Sequence, residues 1–454
     1  MANFAKPSAP RFSVEVYQNE FLPEGGRDVH AIVTVTASGG AAATRAAAAH
    51  GAAAVVIMVD CSGSMEYPPD KMRGAREATA AAVDTLRDGT SFAVIAGTHV
   101  AKEVYPGQGR LAVADPATRA QAKEALRGLH SGGGTAIGTW LRLADGLLRQ
   151  SPAALRHGIL LTDGRNEHED PAVLRATLDA CAGRFTCDAR GVGTDWEVKE
   201  VTGIANALLG SADIVADPAH LTGDFTRMME NVMGKEVADV ALRLWTPVGV
   251  EIQYVKQVSP TVQDLTARRT EAGPRAGDYP TGSWGDESRE YHVCVRVPSA
   301  TVGQEMLAAR ASLILPPAPG PTGAAGTTGP AAAEPPTVLA QGLVRAVWTN
   351  DLAASTAINP QVAHYTGQAE LAQAIQLGLE ARKVGDIDGA TAKLGRAVQL
   401  ASASGNADTA KLLAKVVDVV DAAAGTVRLK AKVADADEMT LETRSTQTVR
   451  VKKT

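Results

Sequence analysis

Hydrophobic positions fall into three regimes along the chain. Near the N-terminus they alternate with polar ones: Phe12, Val14 and Val16 form one series, and Val29, Ala31, Val33 and Val35 another. The turn Pro23-Glu24-Gly25-Gly26 separates them, which predicts an antiparallel pair. Further on, Val55 to Val59 is an unbroken apolar run, the mark of a parallel strand buried on both faces. From about residue 50 to 235 such runs alternate with helical periodicity. The spacing predicts strands at 54–59, 91–96, 157–162, 185–191 and 212–215, with a shorter one near 101–105. Helices are predicted near 71–87, 117–128, 137–150, 171–182, 197–208 and 218–233. This alternation implies a doubly wound α/β domain with a mostly parallel sheet.

After 235 the period returns to two. Val240, Leu242 and Leu244 alternate, then Val250, Ile252 and Tyr254, with further strands at 292–297, 307–315 and 338–349. Between them, Arg268 to Glu287 is rich in Gly, Pro and charge and reads as a long loop. Pro316 to Pro336 is of low complexity and is expected to be disordered. The first two strands are expected to pair with these later ones, making an antiparallel β-sandwich into which the α/β domain is inserted; a separate N-terminal hairpin is the alternative.

Residues 369–424 are helical in pattern. Leu371, Ala374, Ile375, Gly378 and Leu379 share one face, Ile387, Ala390, Leu394, Ala397 and Ala401 a second, and Leu413, Val416, Val417 and Val420 a third. Gly385-Asp386 and Gly405-Asn406 break the pattern. The unit from Gly385 to Ala397 is similar to a tetratricopeptide helix but occurs once, so a small helical bundle is expected rather than a solenoid. The expected domains are therefore 1–45 (first sandwich strands), 46–235 (α/β), 236–350 (sandwich, with the 316–336 loop), 351–427 (helical bundle) and 428–454 (flexible tail). In the tail, Thr446 and Thr448 beside Val449 are candidate phosphorylation sites, lying between an acidic patch and a basic end.

Composition narrows the function. With 45 basic and 50 acidic residues the net charge is −5, and no nucleic-acid footprint stands out. Neither an export signal nor a membrane-spanning run is evident, so a cytoplasmic protein with no membrane partner is expected. Four cysteines make no disulfide framework; Cys181 and Cys187 flank one connection and are expected as buried thiols, with Cys61 an apolar filler.

The chemistry gathers at strand ends. Asp60-Cys61-Ser62-Gly63-Ser64 leaves the first buried strand on a tight turn, putting a carboxylate and two hydroxyls where open α/β sheets bind ligands. Hard oxygen donors suit Mg²⁺ or Mn²⁺. The glycine-rich loop His130 to Thr135 adds a hydroxyl, and the strand Gly158 to Thr162 ends in Asp163. In this order and context the set resembles the von Willebrand factor A (VWA) family with its metal-ion-dependent adhesion site, or MIDAS. The resemblance implies a metal held by Asp60, Ser62, Ser64, Thr135 and Asp163, in a Rossmann-like domain. It also implies a metal-dependent protein–protein interaction in which an acidic side chain of a partner completes the shell. Similar cytoplasmic bacterial proteins accompany Ser/Thr kinases, phosphatases or forkhead-associated domains in signalling and stress responses, and others serve as adaptors of AAA+ ATPases.

A metal-dependent hydrolase is the alternative of another class, with Ser62 or Ser64 as nucleophile and His130 or His168 as base. No nucleophile–base–orienter arrangement is legible, so no enzyme activity is expected. His168 sits among Glu167, Glu169 and Asp170, which read as a solvated acidic loop at the rim.

Overall fold

A computed structural model describes residues 11–38, 53–316 and 335–451. The 38–51 linker and the 316–336 loop expected from sequence fall almost entirely outside them. The described residues form two compact units. One holds 53–238 and 370–446, the other 11–38, 239–316, 335–369 and 447–451. Among the described residues no helix is long and apolar enough to cross a membrane.

In chain order, β1 (Arg11–Gln18), β2 (Phe21–Leu22) and β3 (Asp28–Ser38) come first. Then follow β4 (Ala54–Asp60), α1 (Asp70–Thr85), β5 (Ser91–Gly97), β6 (Ala101–Tyr105), β7 (Ala112–Val113), α2 (Pro116–Leu126) and α3 (Ile137–Leu148). The α/β run ends with β8 (Arg156–Thr162), α4 (Pro171–Cys181), β9 (Thr186–Val192), α5 (Val198–Ala207), β10 (Ala212–Val215) and α6 (Leu221–Met233). Its sheet runs β10-β9-β8-β4-β5-β6, with β7 also on β5. Neighbours from β10 to β5 are parallel, and β6 and β7 pair with β5 antiparallel. Every residue of β4 is buried, because helices cover both faces of the sheet: α1 and α6 pack on one side, α3 and α5 on the other. The strand order reverses between β4 and β8, which opens a crevice beyond their C-terminal ends.

The other unit is antiparallel except for the two-residue β2, which lies parallel to the end of the last long strand. Its strands are β11 (Val237–Trp245), β12 (Glu251–Ser259), β13 (Gln263–Asp264), β14 (Thr270–Gly273), β15 (Ala276–Trp284), β16 (Glu287–Arg296), β17 (Glu305–Leu315) and β18 (Thr337–Trp348). One sheet is ordered β1-β3-β16-β12-β13 and the other β14-β15-β11-β17-β18-β2. The early strands thus enter sheets built from the late ones: Val14 opposes Val35 within the first pair, and Val33 opposes Tyr291 across to β16. Phe12 meets the Trp284 ring edge-on at 5.8 Å, and the Arg289 guanidinium lies over the same ring at 4.3 Å.

Three expectations are corrected here. The loop expected at 268–287 contains β14 and β15; Tyr279, Thr281 and Trp284 are buried, and burial of these side chains overrides the glycines and proline between them. The bundle is shorter than expected. After α7 (Leu352–Thr356) come α8 (Pro360–Lys383), α9 (Ile387–Ser404) and α10 (Ala407–Val416), and then the chain turns extended into β19 (Val417–Asp421), paired with β20 (Thr426–Leu429). β-Branched Val417, Val419 and Val420 favour that strand over a further helical turn.

Nor is residue 428 the start of a flexible tail: α11 spans Asp435–Arg444. Its first turn carries Asp435, Asp437 and Glu438, which suit a helix N-terminus, and Asp437 pairs with Lys415 and Glu438 with Arg382. Leu441 is fully buried, and Arg444 forks onto both oxygens of Asp213 at 2.8 and 3.2 Å. Beyond it, the Thr448 hydroxyl donates to the carbonyls of Val258 and Pro260, while Thr446 is half-buried. All four cysteines are free and buried.

Candidate metal centre

Asp60 is the last residue of β4, and Asp163 follows the last residue of β8, so the two carboxylates flank the crevice. Both are fully buried. Asp60 is held from two sides: Oδ1 accepts the Ser62 amide at 2.8 Å, and Oδ2 accepts the Thr162 hydroxyl at 2.7 Å. Burial pushes its carboxyl up to about 6 despite these bonds, with the neighbouring Asp163 adding to the shift. Asp163 Oδ1 accepts from the Ser64 hydroxyl at 2.7 Å, and the Ser62 and Ser64 hydroxyl oxygens are 2.8 Å apart.

The glycine-rich loop delivers the remaining hydroxyl. Gly63 donates to the Gly133 carbonyl at 2.9 Å and Gly132 to the Cys61 carbonyl at 2.8 Å, locking the two loops together. A β-carbon on Gly164 would lie 2.9 Å from Ser64 Oγ, 3.4 Å from Thr135 Oγ1 and 3.8 Å from Ser62 Oγ. Three hydroxyls thus surround one open point, which only a glycine at 164 leaves free. Structure brings together all five residues expected from sequence.

Other parts of the site were not anticipated. Lys71, on the first turn of α1, donates to Asp163 Oδ2 and to Asp195 Oδ2, both at 2.8 Å. Burial works against its charge, but the two carboxylates outweigh it and raise the ammonium above its ordinary range. A signal was present: Lys71 stands four and seven residues before Ala75 and Ala78, on the apolar stripe of the helix. The loop after β8 is not simply a solvated acidic rim. The Thr135 amide donates to His168 Nδ1 at 3.3 Å, and the His168 amide to the Thr135 carbonyl at 3.0 Å.

The same loop caps α3, whose own N-cap residue supplies no side-chain acceptor. Asn166 Oδ1 accepts from the Ile137 amide and Glu169 Oε2 from the Gly138 amide, both at 2.7 Å. No sequence spacing links these partners, since they meet across about 30 residues of chain. His130 is exposed at the start of the glycine-rich loop.

The donor set fits a hard divalent cation: two buried carboxylates and three converging hydroxyls, all oxygen donors. Among the described residues no group of three or more His, Cys, Asp and Glu side chains is arranged for a metal, so any ion here depends on the hydroxyls.

Residues 53–214 match the model of the von Willebrand factor type A domain, and 399–445 that of the von Willebrand factor type A C-terminal domain. The second match runs from α9 through the β19–β20 hairpin into α11. A von Willebrand factor type A structure from Catenulispora acidiphila is 51% identical with a TM-score of 0.89, covering 98% of this chain and 99% of that one. The ArnB paralog VWA2 from Sulfolobus acidocaldarius, at 13% identity and a TM-score of 0.56, shares the fold over 95% of this chain and 97% of its own. No curated protein matches the chain. The chain belongs to the von Willebrand factor type A family.

Proposed function

We propose that this chain is a metal-dependent protein-recognition module. In this reading Asp60, Ser62, Ser64, Thr135 and Asp163 hold Mg²⁺ or Mn²⁺, and a carboxylate from a partner protein completes the shell. When bound, the ion supplies a Lewis-acidic position for that carboxylate. The chain's own residues supply the rest. Thr162 and the Ser62 amide orient Asp60, Ser64 orients Asp163, and the Gly132 and Gly63 amides fix the loop that presents Thr135.

The observation that carries this reading is the convergence of three hydroxyl oxygens on the bare Cα of Gly164, beside two buried carboxylates. The Ser62 and Ser64 hydroxyls are committed to each other and to Asp163 instead of to an imidazole, which favours binding over a metal-dependent hydrolase. We read the two sheets of this unit as facing layers of one sandwich, the Phe12–Trp284 contact being one point where they meet. The setting we favour is a cytoplasmic bacterial signalling or stress-response complex containing a Ser/Thr kinase, a phosphatase or a forkhead-associated domain; an adaptor of an AAA+ ATPase is the second reading. Were the C-terminal segment phosphorylated, Thr446 is the better acceptor, because the Thr448 hydroxyl is engaged by backbone carbonyls.

The test is a pull-down from the native cytoplasm with the full chain in Mg²⁺, in EDTA, and with Thr135→Ala in Mg²⁺. A partner held only by the parent in Mg²⁺ is expected. Equal capture in EDTA would sink the reading.

A further inference from the structure

In the antiparallel unit, a second group of side chains converges on one face of the β1-β3-β16-β12-β13 sheet. Cys294 on β16 stands directly across from His30 on β3 and from Tyr254 on β12, so all three side chains share that face. His292, two residues before Cys294, points the same way. His30 Nδ1 lies 3.2 Å from His292 Nε2, and the Tyr254 hydroxyl oxygen lies 3.2 Å from each of them. Two nitrogens and one oxygen thus make a nearly equilateral triangle.

Hydrogen bonding alone leaves this triangle incomplete. An imidazole nitrogen in the ring plane either donates or accepts, and a phenol brings one proton. At most two of the three edges can then be hydrogen bonds, and the third sets two groups together without a proton between them. A cation accepts a lone pair from every corner. Ligands at about 2.0–2.1 Å around a tetrahedral ion stand roughly 3.3–3.4 Å apart, close to the separations found here. The third donor is phenolic, which is why no cluster of His, Cys, Asp and Glu alone marks the place.

We propose that His30, His292 and Tyr254 form a second metal site, for a borderline divalent transition ion of the Zn²⁺, Ni²⁺ or Cu²⁺ class. Imidazole donors select such ions, whereas the all-oxygen set at Asp60 and Asp163 selects hard ones, so ligand chemistry sorts the two sites. Cys294 flanks the triangle, its Sγ 3.9 Å from His30 Nε2. An imidazole offers its lone pair when neutral, and burial disfavours the charged form of both rings. His292 and Cys294 are buried while His30 and Tyr254 are half-buried, which leaves a route of entry.

The test titrates the untagged full chain with Co²⁺ in excess Mg²⁺, which keeps the strand-end site supplied with its own ion. Visible d–d bands saturating at one equivalent are expected in the parent. His30→Gln and Tyr254→Phe alter half-buried positions with little change of shape and should leave the fold intact. The first should abolish the bands and the second weaken Co²⁺ affinity by more than roughly tenfold, the loss that even supporting residues of metal sites produce. A featureless parent spectrum, or unchanged binding in either variant, would overturn the proposal.

Discussion

Lys71 and Asp163 form a buried ion pair, Nζ to Oδ2 at 2.8 Å, with side chains 5% and 0% exposed. The lysine stands in for part of the positive charge that two neighbouring buried carboxylates demand, and Asp195 shares it from the exposed side at 2.8 Å. With one lysine among Asp60, Asp163 and Asp195, the site retains an excess of carboxylates to attract a cation.

Lys71→Met removes that charge at similar length. Breaking a buried pair from one side costs about 3–5 kcal/mol, because the partner is left uncompensated. The variant should melt well below the parent in EDTA, and Mg²⁺ should restore more stability to it than to the parent. Thermal melting with and without Mg²⁺ measures this; identical Mg²⁺ shifts would show that Lys71 and the metal do not share a charge site.

Gly164→Ala places a β-carbon 2.9 Å from Ser64 Oγ, in the space the three hydroxyls enclose. The parent should gain about 2.7 kcal/mol when Mg²⁺ exceeds its dissociation constant a hundredfold. Most of that gain should vanish in Gly164→Ala, and all of it in Asp60→Ala combined with Asp163→Ala. Parent-like Mg²⁺ shifts in all of them would remove the metal from the strand ends.

Leu441 on α11 is fully buried in a cluster with Leu413 and Val416. Leu441→Ala should cost about 2–5 kcal/mol through lost burial and a residual cavity. Denaturant unfolding followed by tryptophan fluorescence reads the change. No loss of stability would mean that the helix does not dock.

Asp188 carries a pH dependence of known sign. Burial pushes its carboxyl up, but the His157 ring, 2.9 Å away, and the Arg190 charge outweigh it and hold the group well below the usual carboxylate range. A folded-state pKa below the unfolded value of about 3.9 contributes stability above that pH, and the contribution fades as pH falls toward the folded value. Asp188→Asn should therefore destabilise the chain at pH 7, and its deficit should narrow at about pH 3. Unfolding midpoints at both pH values decide; a deficit independent of pH would assign the effect to packing.

The strand-end site was legible because its residues sit in short contiguous motifs, and Asp60 closes β4, whose other six positions are all apolar. Glu169 and Asn166 were not, since their roles depend on where one loop passes the start of α3. β15 was hidden by Gly277, Pro280 and Gly282, and is held as a strand by the burial of Tyr279 and Trp284, which composition does not reveal. α11 was hidden by its polarity, with Leu441 its one fully buried apolar anchor. The triangle of His30, Tyr254 and His292 draws one residue from each of three strands far apart in sequence, so no local pattern could announce it.

Strand β3 also constrains how the protein can be made. It pairs on one side with β1, close by in sequence, and on the other with β16, whose residues Glu287–Arg296 emerge from a ribosome some 250 residues later. At roughly 5–20 residues per second, the edge of β3 waits about 10–50 seconds for its partner. The α/β segment, whose sheet is completed by β10 at Val215, can close during that interval. Synthesis therefore presents a folded α/β segment while one edge of a valine-rich strand is still exposed upstream of it, and that edge is where a nascent chain would need shelter.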